Sequence, residues 1–275
     1  MPNDVTDDVR PCTYLSGNRQ SEAMLAQLSD PHIRVGENDR DSARHLEEAV
    51  RAVAALDPVP DAVLLSGDVA ESGKPAEYER ARDLLAPLPM PVHAIPGNHD
   101  DPEALRAAFP THGAPYCGPL RLVLCDTTLP GRDDGGLDHE RLAELERTLA
   151  ADGMTPTIVA MHHLPIVTGV RAMDGMGIPA ADRAALAEVV ARHANVRLIA
   201  TGHVHRAMVG RVGPCAVLAC PSVYLQLYLD LRPDGDERVG TLHEPPAMAI
   251  HLLAGGDVTS HIKPIGDYGP PHHWE

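Results

Sequence analysis

Pro91-Val92-His93-Ala94-Ile95-Pro96-Gly97-Asn98-His99-Asp100 carries an apolar run into three side chains that can bind metal or move protons. The first five residues read as a strand, and Pro96-Gly97 ends it in a turn. Gly97 permits the tight backbone that aims Asn98 and His99 outward from the strand's carboxyl end, where open α/β sheets collect their ligands. Asn98 offers a neutral oxygen and His99 an imidazole that titrates near neutrality. Alone, Gly-Asn after a strand is ordinary turn chemistry. The pattern gains weight because it recurs along the chain.

Met24-Leu25-Ala26-Gln27-Leu28 is a short buried-strand run, broken by Ser29-Asp30-Pro31-His32. In extended backbone Asp30 and His32, two apart, project to one side, as two ligands of one ion must. The strand Ala62 to Ser66 delivers Gly67-Asp68, Thr157 to Met161 delivers His162-His163, and Val196 to Thr201 delivers Gly202-His203-Val204-His205. Amphipathic helices are expected over 41–56, 76–85, 138–150 and 180–193, so the first half alternates strand and helix as an α/β protein does. A further strand covers 120–126. Alternating runs near 207–212, 216–220, 223–229, 247–253 and 258–265 are expected as antiparallel strands completing a second sheet. Residues 165–179, with three glycines, Met173 and Met176, form a long irregular stretch read as a cap over the site, with a mobile surface loop as the other reading.

One body is expected from 275 residues with 44% apolar content: a main domain over 22–265, a flexible polar extension over 1–21 and a proline-rich tail over 266–275. The 39 acidic against 23 basic residues give a formal charge of −16, which repels a phosphate backbone and argues against nucleic acid as partner. Metal ions would have to supply the positive charge for an anionic substrate. Five cysteines include no C-x-x-C pair, which points to reduced, buried thiols. No signal peptide and no apolar run long enough to cross a bilayer is seen, so a cytoplasmic protein without membrane contact is expected.

Collected in order, the strand ends present Asp30, His32, Asp68, Asn98, His99, His162, His203 and His205. Oxygen and imidazole ligands without thiolate suit zinc, iron, manganese or cobalt, and there are too many for one tetrahedral ion, so two ions are inferred. The ordered blocks D-x-H, G-D, G-N-H-D, a lone H after a strand, and G-H-x-H resemble those of the calcineurin-like metallophosphoesterases over roughly Met24 to Pro264. The likeness is strongest to the class III cyclic nucleotide phosphodiesterases and the glycerophosphodiesterases. It implies a four-layer α-β-β-α sandwich of two mixed sheets. It also implies that Asp30, His32, Asp68 and His205 hold one ion and Asp68, Asn98, His162 and His203 the other, with Asp68 shared. Two such ions would clamp a phosphoryl group and lower the pKa of a bridging water, whose hydroxide attacks phosphorus.

By the same resemblance His99 stabilises the developing charge or protonates the leaving alkoxide. Glu71, where the family more often has Asp, or Asp100 would orient it. His163 is read as a pocket residue behind the ligands. The substrate implied is a small phosphodiester, a cyclic nucleotide or a glycerophosphodiester, and relatives are often homodimers or larger homo-oligomers. A broad-specificity phosphomonoesterase and a non-catalytic scaffold with the same fold are the alternatives.

Overall fold

The computed structural model describes residues 21–36, 40–232, 234–235, 238–269 and 272; the extension expected over 1–21 therefore falls almost wholly outside the described residues, as does Cys12. In chain order the elements are β1 (Ala23–Leu28), α1 (Arg40–Ala54), β2 (Ala62–Leu65), α2 (Pro75–Leu85), β3 (Val92–Ala94), α3 (Pro102–Ala108), β4 (Tyr116–Cys117), β5 (Leu120–Leu124), α4 (His139–Ala150), β6 (Thr157–Ala160), α5 (Arg171–Asp174), α6 (Ala180–Ala191), β7 (Val196–Thr201), β8 (Met208–Val212), β9 (Cys215–Ala219), β10 (Gln226–Leu227), β11 (Thr241–Leu242), β12 (Ala247–Ala254) and β13 (Asp257–Pro264).

Two mixed sheets result, ordered β13-β12-β1-β2-β3 and β4-β5-β6-β7-β9-β8, with β10 and β11 forming a separate ribbon. Alternation along β1 explains how they stack. Ala23 and Leu25 face the second sheet, meeting Leu64, Leu122, Ile158 and Ala200, while Met24, Ala26 and Leu28 face helices α1 and α2 through Leu46, Val50 and Leu84. On the far side of the second sheet Val159, Ile199 and Val217 pack on Leu145 and Leu149 of α4 and Leu186 and Val190 of α6. Helix, sheet, sheet and helix thus form four layers, as the resemblance implies.

β1, β2 and β3 are parallel, as are β5, β6, β7 and β9, so within each sheet the loops that follow these strands leave from one edge. The carboxyl-end loops of both sheets therefore supply the site. The C-terminal strands depart from expectation. β12 and β13 extend the first sheet beside β1, and β9 lies parallel to β7. The reason is legible in β12 itself: AMAIHLLA is buried over its first five residues, as only a strand covered on both faces is. α3 was not expected at all, although Asp101 caps it by accepting from the backbone of Glu103 and Ala104, with Pro102 in its first turn.

The stretch 165–179 is irregular except for the single turn of α5, and side-chain contacts hold it in place. The Asp174 carboxylate accepts from the backbone and hydroxyl of Thr168, and Val170 and Met173 pack with Leu164, Val204 and Leu227 in a small satellite core. Cys117, Cys125, Cys215 and Cys220 are buried. Among the described residues no helix is long and apolar enough to cross a membrane. One feature of the layer between the sheets is unlike the rest: Gln27 and His251 are polar and fully buried there. An unpaired polar group in such a layer would cost about 1–3 kcal/mol, so their hydrogen bonds must be complete.

Candidate metal centre

Every non-glycine residue with a left-handed backbone among the described residues is an expected ligand: Asp30 (φ 52), His32 (47), Asp68 (49), His203 (70) and His205 (47). Such conformations are uncommon outside glycine and persist only where surrounding contacts impose them. The contacts here are loop-to-loop hydrogen bonds. Asp30 N–H donates to Gly67 O and His32 N–H to Asp68 O, which stitches the loop after β1 to that after β2. The sequence reading had Asp30 and His32 on extended backbone; the left-handed turns at both replace that geometry, yet still bring the two side chains to one place.

Glycines make room for the crossing. A methyl group on Gly67 would overlap the His162 ring, and one on Gly97 would overlap the Asp68 carboxylate. Asp100 then ties the edge together, its carboxylate accepting from the N–H groups of Val69, Ala70 and Gly97 at 3.1, 2.9 and 2.9 Å.

Nitrogens and carboxylate oxygens of Asp30, His32, Asp68 and His205 all lie within 4.8 Å of one another, and so do those of His162, His163 and His203. Asp68 lies between the groups: its Oδ2 is 3.6 Å from His32 Nε2 and 3.4 Å from His162 Nε2. Its Oδ1 accepts from His99 N–H at 2.9 Å, so Oδ2 is the atom free to face the centre. Asn98 joins the second group through Oδ1, 3.2 Å from His162 Nε2.

Four rings have their outer nitrogen fixed by an atom that can only accept. His32 Nδ1–H donates to the Glu71 carboxylate (2.8 Å), His162 Nδ1–H to Ser66 O (2.8 Å), His205 Nδ1–H to Leu225 O (2.9 Å) and His203 Nε2–H to Met176 O (3.1 Å). In each neutral ring the other nitrogen is therefore a lone pair. His32 Nε2 and His205 Nε2 consequently face each other at 3.1 Å, and His162 Nε2 faces the Asn98 oxygen at 3.2 Å. Lone pairs set against lone pairs call for a cation between them. The separations are those of neighbouring ligands around an ion bound at about 2.0–2.2 Å, and the carbonyl or carboxylate behind each imidazole is the usual outer partner of a metal-bound histidine.

Without a cation the charges balance by proton sharing. Burial alone would raise Asp68, but His162, His32 and His99 hold it well below the usual carboxylate range. Burial would lower His162, yet Asp68 and Asp30 push it up to about 9. His205 is likewise raised against burial, by Asp30, whereas burial and His162 press His203 down to about 3. Protons on His162 and His205 occupy positions a cation would take, so metal uptake releases them.

Glu71 and Asp100, expected to orient His99, do something else with their carboxylates. Glu71 spends its oxygens on His32 and on Arg34 (2.7 Å), and Asp100 on backbone amides. His99 is fixed instead by the Glu71 backbone carbonyl, which accepts from its Nδ1 at 2.9 Å. No residue type signals a carbonyl, so sequence could not have found this, nor the roles of Ser66, Met176 and Leu225. His163 sits behind the ligands, its Nδ1 2.8 Å from the Thr127 hydroxyl, and burial with His203 and His162 nearby holds it well below its ordinary value.

The centre opens into a cavity of about 320 Å³ walled by Met173 and Met176 of the 165–179 stretch. A second cavity of about 370 Å³, lined by Ser72, Asp101 and Thr128, shares Asn98 and His99 with it, so His99 stands between the two.

Relatives match this chain over most of both lengths. A probable cyclic nucleotide phosphodiesterase of Synechococcus sp. is 35% identical over 247 residues, covering 83% of this chain and 94% of that protein. A probable glycerophosphodiester phosphodiesterase of Arcobacter nitrofigilis is 29% identical over 264 residues, 90% of this chain and 96% of its own. Among solved structures, GAP50, the anchor in the inner membrane complex of Plasmodium, matches with a TM-score of 0.60 at 12% identity over 90% of each chain, a likeness of fold alone. Residues 24–207, the stretch that holds every candidate ligand from Asp30 to His205, match the calcineurin-like phosphoesterases, and the chain belongs to that family.

Proposed function

We propose that the protein is a metal-dependent phosphodiesterase that hydrolyses small diesters, of the cyclic nucleotide or glycerophosphodiester class, at a centre of two divalent ions. The observation that carries this reading is the Asp68 carboxylate, whose Oδ2 lies 3.6 Å from His32 Nε2 in one group and 3.4 Å from His162 Nε2 in the other. Asp30, His32, Asp68 and His205 would hold one ion, and Asp68, Asn98, His162 and His203 the other. Ions held there would polarise the phosphoryl oxygens and supply a water-derived nucleophile at neutral pH; zinc, iron, manganese and cobalt all suit the ligand types.

The chain's own part is positioning and proton transfer. With Nδ1 anchored on Glu71 O, the His99 ring lines both cavities and its Nε2 is left for the substrate. Burial would lower its pKa, but Asp68 and the Glu71 carbonyl raise it above the ordinary imidazole value. A proton donor between a cavity at the ligands and a second beyond it is placed to protonate a leaving alkoxide. The second cavity then receives the departing alcohol, next to Ser72, Asp101 and Thr128. The names of the Synechococcus and Arcobacter relatives support a diester as substrate.

The test is a turnover screen of Mn²⁺-loaded protein against bis(p-nitrophenyl) phosphate, cyclic AMP, a glycerophosphodiester and p-nitrophenyl phosphate. Diesters are expected to turn over faster than the monoester, and removal of metal with a chelator to abolish both. Faster monoester hydrolysis would favour the phosphomonoesterase alternative. A loaded protein that turns over nothing would make the fold a scaffold.

A further inference from the structure

A line of polar side chains crosses the layer between the sheets. It runs from Ser260 on β13 through His251 on β12, Gln27 on β1 and Ser66 beyond β2 to Ser29, and ends on Asp30. The five steps measure 2.7, 2.9, 2.8, 2.7 and 2.5 Å. Gln27, Ser29, Asp30, Ser66 and His251 have no solvent exposure, and their neighbours in the layer include Leu25, Leu64, Ile158 and Ala249.

Obligate acceptors at two points force the direction of every bond. The Asp30 carboxylate can only accept from Ser29 Oγ–H, so Ser29 in turn accepts from Ser66 Oγ–H. The Thr201 carbonyl, 3.0 Å from Gln27 Nε2, fixes the amide with its NH₂ towards Thr201 and Ser66. Gln27 Oε1 therefore faces His251 Nε2–H, and His251 Nδ1 accepts from Ser260. Burial pushes His251 down to about 4, so it is neutral and has one proton to give, as this arrangement requires. All donors point the same way and the chain ends on a carboxylate, the condition under which hydrogen bonds polarise and strengthen one another. At its end Asp30 Oδ2 accepts from the Ser29 hydroxyl, the His203 N–H lies 3.2 Å from both carboxylate oxygens and so does not by itself choose between them, and Oδ1 lies 3.5 Å from His205 Nε2.

We propose that His251 and Gln27 are positioning residues for Asp30: the chain they complete fixes the rotation of its carboxylate and presents Oδ1 to the cation shared with His32, Asp68 and His205. The inference rests on the binuclear reading above and extends it to β12, outside the family-matched stretch 24–207.

Calorimetric titration of metal-free protein with Mn²⁺, alongside thermal melting, tests it. Ser29→Ala should weaken one of two Mn²⁺ sites by about tenfold or more, as loss of an outer partner does. Gln27→Leu and His251→Leu should weaken the same site by about threefold or more, and His251→Gln, which keeps a donor at the Nε2 position, should restore it. Leu253→Ala, in the same layer but outside the chain, should lower Tm and leave Mn²⁺ affinity unchanged. If His251→Leu and Gln27→Leu bind Mn²⁺ as wild type does, or if affinity merely follows Tm across all variants including Leu253→Ala, the proposal is overturned. Wild-type protein that takes up no Mn²⁺ would overturn the binuclear reading, and the positioning role with it.

Discussion

Asp68→Ala is expected to strip the protein of both ions and to lower phosphodiester turnover by more than about a hundredfold, the upper end of what loss of an outer partner of a metal ligand costs. The expectation follows from placement. The same Oδ2 faces His32 on one side and His162 on the other, so a single truncation removes a ligand from each group. The variant also leaves two local effects to control for. His99 N–H loses its acceptor, and the fully buried His162 loses the carboxylate that keeps it protonated in the metal-free state. Asp68→Asn retains an acceptor and the side chain's shape, so a fault of folding alone would spare it. Both variants should lose metal after desalting, measured by elemental analysis against wild type. Retention of one full equivalent in both would mean that Asp68 is not shared.

His99→Ala should show the opposite split: metal content unchanged, with kcat reduced by about 10²–10⁴. Its size should depend on the leaving group. Nitrophenolate departs without a proton, whereas a glycerol or ribose alkoxide needs one, so a residue that protonates the leaving oxygen matters more for the natural diesters than for bis(p-nitrophenyl) phosphate. An equal loss on both substrates would assign His99 to charge stabilisation alone. Glu71→Gln provides the contrast. It removes the charged partner of His32 but leaves the backbone carbonyl that holds His99, so metal affinity should fall by about tenfold while the His99 contribution is kept.

The sequence displayed most of this site because its residues stand directly after strands, where a run of apolar residues ending in Gly-Asp or Gly-Asn-His is visible without coordinates. The layered fold was legible for a similar reason, since the continuous burial of β1, β2 and β6 reflects the two faces they cover. What stayed hidden depends on backbone atoms or on distant pairing. The left-handed conformations at Asp30, His32, Asp68, His203 and His205 are imposed by contacts between loops; Asp and His enter that region more readily than most side chains, but nothing in the sequence marks these five among the chain's many Asp and His residues. The carbonyls of Ser66, Met176, Leu225 and Glu71 orient four rings, and any residue type could have supplied them. Glu71 reaches His32 through its carboxylate and His99 through its backbone carbonyl, a division that spacing along the chain does not announce. The split of the C-terminal strands between two sheets was missed because β12 pairs with β1 across more than two hundred residues. α3, by contrast, carries a local signal, since Asp101-Pro102 is an N-cap followed by a first-turn proline.

Anomalous X-ray diffraction from crystals of Mn²⁺-loaded protein tests the shared carboxylate most directly. Two peaks about 3.5–4 Å apart, one on each side of Asp68 Oδ2, are predicted. A single peak, or two peaks of which one lies away from Asp68, would contradict the account.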